Sequence, residues 1–317
     1  MSFYDTYGAN SRVTARIAQL ELARRDERIF SVEDDLGLPD VAFDKEFPDR
    51  YVQAGIAEAD QLGIAAGLAM RGNVPFVNTF AAFATMRAGE QLRLDIAYNR
   101  ANVKIIGYYA GLSGGYAGPT HHSIEDIAVT RAIPGITVLS PADAYEAYQA
   151  VFAAADHDGP VYIRASRSET PAVHDTEVPF VIGRAIRLRD GGDVTIIATG
   201  CLMVAHALRA AEALSTWGIA ARVIDMHTLK PLDDHAILEA AADTGLIATC
   251  EDHSVIGGLG SAVAAVVLGG HPAPVLPFGV RDEFCSRTAE YDEMVTDYDF
   301  GSSSMAGVIR RRLEARQ

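Results

Sequence analysis

Short apolar, β-branched runs alternate with helical stretches along almost the whole chain, and this alternation limits the possible folds more than any other feature. Strands are expected at residues 28–32, 51–54, 75–79, 103–108, 137–139 and 161–164, with helices at 11–25, 57–70, 85–98, 124–132 and 142–155. Continuous apolar strands joined by helices require a parallel sheet covered on both faces, because each strand then buries both of its sides. Ser123 with Asp126 reads as a capping box opening one helix. From Ser168 to Pro179 the periodicity lapses around two prolines, as in a linker. Alternation resumes after Gly192, with strands at 195–198, 221–224, 246–250 and 274–278 and helices at 202–216, 233–242, 259–268 and 303–315. The expected organisation is α/β in two domains, 1–170 and 191–317, each a mostly parallel sheet covered by helices, joined by a linker at 171–190.

Composition narrows the classes. Hydrophobic residues make up 49% of the 317, enough for two buried cores. The apolar run 261–268 is far shorter than the ~20 residues that span a bilayer. Residues 1–5 lack the basic-then-apolar pattern of a signal peptide. Cys201, Cys250 and Cys285 form neither a metal-ligand pattern nor a disulfide framework, so a reducing, cytoplasmic setting is expected. A net charge of −15 argues against a nucleic-acid partner, which would need clustered Lys and Arg.

Three segments fall just after strands, where open parallel sheets bind their ligands. In 55–67, GIAEADQLGIAAG, Glu58 opens a helix. Alone it would read as an acid favoured by the helix dipole. In 75–83, PFVNTFAAF, Phe80 and Phe83 lie three apart, which core packing would equally explain. In 107–122, GYYAGLSGGYAGPTHH, a glycine-rich loop ends in two histidines. The joint occurrence is more informative than any one of them.

Together these segments resemble the pyrimidine-binding domain of the transketolase family, most closely the short form made as two chains. The stretches 135–143 (GITVLSPAD), 158–167 (DGPVYIRASR) and 251–261 (EDHSVIGGLGS) extend the resemblance from about Ser11 to the C-terminus. The same domain pair also occurs in 2-oxo-acid dehydrogenase beta subunits and deoxyxylulose-phosphate synthases. The resemblance implies a thiamine-diphosphate-dependent transferase of two-carbon ketol units. Glu58 matches the glutamate that bonds the cofactor's aminopyrimidine ring, and as a protonated carboxyl in a buried site it would promote the imino tautomer. Phe80 and Phe83 match the aromatic wall on that ring, and Asp35 an aspartate near the cofactor. His121 matches a histidine contacting substrate hydroxyls and serves with Glu58 as the catalytic pair. Arg12 and Arg167 match arginines that bind substrate phosphate.

Four positions depart from the family pattern. Tyr109 stands for a histidine, Ala117 for an aspartate that reads an acceptor hydroxyl, Met86 for a tyrosine near the pyrimidine, and Pro39 for a phosphate-binding serine. Cofactor-facing residues are kept while substrate-facing ones vary, so an unusual acceptor is expected.

No Gly-Asp-Gly motif is present; Asp190-Gly191-Gly192-Asp193 reads as a turn. That motif holds the family's Mg²⁺, so no metal ligand for it is expected in this chain. A separate N-terminal-type chain that carries the motif is expected as partner in a heterotetramer of two plus two, with self-association through the same domains. The substrates implied are sugars or sugar phosphates. A 2-oxo-acid dehydrogenase beta subunit and a non-catalytic partner subunit are the alternatives. The loop 257–260 precedes a helix but lacks the spacing of a dinucleotide fingerprint, and tight packing or a subunit contact is expected there.

Overall fold

In the computed structural model, which describes residues 2–36, 42–174 and 178–316, the expected alternation becomes two α/β layers. The strands are β1 (Ile29–Glu33), β2 (Tyr51–Gln53), β3 (Val74–Phe80), β4 (Lys104–Tyr108), β5 (Thr137–Leu139), β6 (Val161–Ala165), β7 (Ile186–Arg189), β8 (Val194–Thr199), β9 (Ala221–Asp225), β10 (Thr228–Lys230), β11 (Ile247–Ser254) and β12 (Val275–Val280). The first sheet runs β10-β5-β6-β4-β3-β1-β2 and the second β12-β11-β8-β9-β7. Every pairing is parallel except β10 with β5 and β7 with β9. Central strands β4, β6 and β8 are buried along their whole length, as their continuous apolar runs require.

Two strands went unread in the sequence. β7 lies inside the stretch expected as linker and forms an edge of the second sheet. β10 follows β9 of the second sheet but pairs with β5 of the first, so the two layers share a strand connection. Residues 85–98 are not an α-helix. They form two π-helical segments, Phe83–Arg87 and Gln91–Tyr98. Residue-type periodicity does not separate these from α-helix, and such widened turns concentrate at functional sites.

The capping box is also corrected. The helix begins at Asp126 with no side-chain cap, and Ser123 Oγ has no hydrogen-bond partner. Asp126 instead accepts from Tyr162 Oη (2.8 Å) and Arg164 Nε (2.8 Å), because a buried arginine needs a carboxylate. Arg164 also donates to the Asp252 carbonyl at 2.9 Å, linking the first sheet to β11. The Asp252 carboxylate accepts from Leu112 N at 2.9 and 3.0 Å and from Tyr291 Oη. Gly111 sits at φ +60°, and a Cβ there would lie 1.9 Å from Asp252 Oδ2, so only glycine lets the loop close on the second layer.

The loop 257–260 is explained by packing. Glu251 accepts from Leu259 N (2.6 Å) and Gly260 N (2.8 Å), so a carboxylate of the chain itself fills the helix N-terminus. A Cβ on Gly258 would lie 1.9 Å from Glu251 Oε2. Burial pushes Glu251 up to about 7. Among the described residues no helix is long and apolar enough to cross a membrane.

Candidate active site

The three segments singled out in the sequence converge at the carboxyl ends of β3 and β4. Glu58 is the first residue of the helix Glu58–Met70 and is only 3% exposed. Its carboxylate is met by Arg87, with Nη1 2.6 Å from Oε1. The same guanidinium lies over the Phe83 ring at 4.0 Å from its centroid. Phe83 packs edge-on against Phe80 at 5.5 Å. His121 approaches both rings, at 5.0 Å from Phe80 and 5.1 Å from Phe83. Tyr109 stacks on Phe80 at 4.6 Å. Arg12 and Arg167 lie over Tyr109 at 5.8 and 5.4 Å. One continuous set of contacts thus joins Glu58 to both arginines.

Local backbone explains the placement. Tyr109 follows β4 with φ +60°, a conformation that costs a non-glycine residue ~1–3 kcal/mol and is retained where surroundings enforce it. The turn directs its ring back over Phe80 and within reach of both arginines. Arg87 closes the π-helical segment Phe83–Arg87, four residues after the ring it covers. His121 Nδ1 is 2.9 Å from Thr120 Oγ1. Burial, then the positive charge of Arg87, lowers the His121 pKa, so the imidazole is neutral at pH 7.

The remaining expected residues are less enclosed. Asp35 is exposed. Its neighbour Asp34, unread in the sequence, is the buried carboxyl at the end of β1: it accepts from Thr79 Oγ1 at 2.5 Å and from Leu36 N at 3.1 Å. Burial raises Asp34 to about 7 against the opposing Thr79 hydrogen bond, and the charges of Asp35 and Glu58 add to the rise. Met86 is 56% exposed beside Arg87, and Ala117 is exposed in the turn 115–117. Pro39 lies outside the described residues.

Arg87 is the other functional residue missed, and it changes the reading of Glu58. The sequence suggested a carboxyl alone in an apolar pocket. The structure gives it a cationic partner, half exposed, that also covers the aromatic wall. Its spacing from Phe83, i to i+4, was available in the sequence.

Comparison with known proteins accounts for both parts of the chain. Residues 10–173 match the transketolase pyrimidine-binding domain and residues 183–303 the transketolase C-terminal domain. A 6-deoxy-6-sulfo-D-fructose transketolase subunit from Clostridium sp. (strain MSTE9) is 44% identical over 84% of this chain and 83% of the relative. A putative transketolase C-terminal section from Methanocaldococcus jannaschii is 40% identical over 93% of each chain. An apulose-4-phosphate transketolase subunit from Phocaeicola vulgatus is 45% identical over 83% of this chain and 85% of that one. Among solved structures, a split gene transketolase described as an inactive beta4 tetramer superposes with a TM-score of 0.88 at 40% identity, covering 97% of this chain and 99% of the other.

Proposed function

The chain belongs to the transketolase family, and from that premise we propose that it is the pyrimidine-pocket subunit of a split transketolase, working on thiamine diphosphate held between it and a partner chain. The observation that carries the proposal is the buried Glu58 carboxylate, joined through Arg87 to the wall of Phe83, Phe80 and His121. A buried acid at a helix start beside an aromatic wall suits a flat, basic heterocycle: the acid bonds a ring nitrogen and the wall covers the ring.

Thiamine diphosphate, when bound, supplies the carbanion chemistry of ketol transfer. Glu58 holds the proton at the ring nitrogen, which requires its bond to Arg87 to yield or be shared. Phe80 and Phe83, set edge to face, would wall the ring, with Met86 at its border and the aspartate pair Asp34 and Asp35 at the adjacent strand end. Neutral His121 both donates and accepts, as bonding a sugar hydroxyl demands. Arg12 and Arg167, both over the Tyr109 ring, receive the anionic end of a substrate. Two of the relatives are named for a sulfonated and a phosphorylated sugar, which favours an anionic ketose here. Tyr109 and Ala117, in place of the usual histidine and aspartate, favour acceptors with fewer hydroxyl contacts.

The diphosphate and its Mg²⁺ fall to an N-terminal-type subunit with a Gly-Asp-Gly motif. Relatives of nearly the same length are named as subunits or sections, which supports a two-chain enzyme, and closed symmetry favours two plus two. A cytoplasmic setting belongs to the same reading. The test is reconstitution. Alone, the chain should show no ketol transfer from xylulose 5-phosphate. With its partner it should, and Glu58→Gln should assemble normally but lose about two or more orders of magnitude in turnover. Full activity of the chain alone, turnover of pyruvate in place of the ketose, or normal thiazolium proton exchange in Glu58→Gln would each defeat the proposal.

A further inference from the structure

Outside the set of residues that form the candidate active site, three ionisable side chains meet where both layers and the segment between them come together. Glu146 comes from the helix Ala144–Asp156 of the first layer, Asp225 ends β9 of the second, and His174 lies on the connecting segment. All three are buried, at 3%, 0% and 6% exposure. His174 Nε2 is 2.7 Å from Asp225 Oδ2 and 3.5 Å from Glu146 Oε1. One ligand atom from each lies within 4.8 Å of the others.

The cluster is short of positive charge and of hydrogen bonds. No Lys or Arg pairs with Glu146 or Asp225 among the described ion pairs. Among the described residues, Glu146 Oε1, Asp225 Oδ1 and His174 Nδ1 are buried without a hydrogen-bond partner. Nearby Asp143 adds a third carboxylate, already engaged by Tyr4 Oη, Val173 N, His174 N and Glu146 N, which fixes the backbone of His174 in place. With both facing carboxylates ionised and the imidazole neutral the site carries −2; protonating the imidazole still leaves −1. Such charge among buried side chains is costly unless a cation meets it.

A divalent ion supplies the missing charge and takes up the unbonded lone pairs. One imidazole nitrogen with two carboxylate oxygens suits zinc and its neighbours, whereas calcium and magnesium prefer all-oxygen shells of six or more. We propose that Glu146, His174 and Asp225 bind a divalent transition-metal ion, zinc by preference, that fastens the connecting segment to both layers. Binding replaces the proton held between His174 Nε2 and Asp225 Oδ2, and that proton leaves to solvent. The site shares no residue with the candidate active site, so it stands or falls apart from the proposed function.

The full chain, freed of metal by chelation, is titrated with Zn²⁺ by calorimetry and with Co²⁺ by visible absorption. One ion per chain is expected, at micromolar Kd or tighter, with proton release and a rise in Tm. His174→Gln and Asp225→Asn should each weaken binding at least tenfold and abolish the rise. X-ray absorption on the wild-type zinc form needs no variant, and should show a shell of nitrogen and oxygen with a single imidazole. Absence of saturable binding overturns the proposal. So does a shell with two or more imidazoles, or undiminished binding by both variants. Stability that depends on pH but not on zinc would show that a shared proton alone holds the cluster, and it too overturns the proposal.

Discussion

Asparagine in place of Asp34 tests the electrostatics at the edge of the candidate site without touching Glu58. Asp34 is buried to 1% exposure and its pKa is raised from 3.8 to about 7, first by burial. The sign follows directly: the folded state holds the proton more tightly than the unfolded chain. The stabilisation by that proton is therefore complete below the unfolded value and is lost as pH rises toward 7. At 1.36 kcal/mol per unit the full rise corresponds to about 4 kcal/mol, of which roughly 2.6 kcal/mol falls between pH 5 and pH 8. The contributions of exposed Asp35 and of Glu58, already neutralised by Arg87, are screened. A net difference of about 2 kcal/mol is the working figure. Asp34→Asn keeps the shape, and its amide can still bond Thr79. Its unfolding free energy relative to wild type, from urea titration, should therefore improve by about 2 kcal/mol on going from pH 5 to pH 8. Parallel pH profiles for the two proteins would show that Asp34 is ionised at neutral pH and that the reasoning from burial is wrong.

Two further outcomes follow from the site. Phe83→Ala removes the ring beneath Arg87 and beside Phe80 and His121; because Phe83 is only partly buried, about 1–3 kcal/mol of stability should be lost. Cofactor affinity of the assembled enzyme should fall as well, and a stability loss with unchanged affinity would assign the ring to packing alone. Tyr109→His with Ala117→Asp restores the family residues and should raise kcat/KM on ribose 5-phosphate by about tenfold or more relative to a deoxy or unphosphorylated aldehyde. If the wild type already prefers ribose 5-phosphate and the double variant gains nothing, the two departures carry no specificity.

What the sequence made legible, and what it hid, follows from how far each feature depends on neighbours distant in the chain. The central strands could be read because burial on both faces demands a continuous apolar run, whatever lies beside them; β4 and β6 are the clearest cases. β7 and β10 are edge strands of three or four residues whose partners lie elsewhere, and β10 crosses to the other sheet, so no local pattern marks it. Glu58, Phe80, Phe83 and His121 could be singled out because they lie in segments that follow strands, where open parallel sheets bind ligands. Asp34 and Asp35 are adjacent and chemically identical; only the direction of the backbone at the end of β1 buries one and exposes the other. Arg87 went unread, because its placement depends on the π-helical turn that brings it over Phe83 and onto Glu58. The same turn bears on mechanism. In the proposed function Glu58 bonds a ring nitrogen, yet one of its oxygens is already engaged by Arg87. On that reading Arg87 loosens its hold as the ring enters. The half-exposed position of its guanidinium, with no second carboxylate in its described ion pairs, leaves it free to do so.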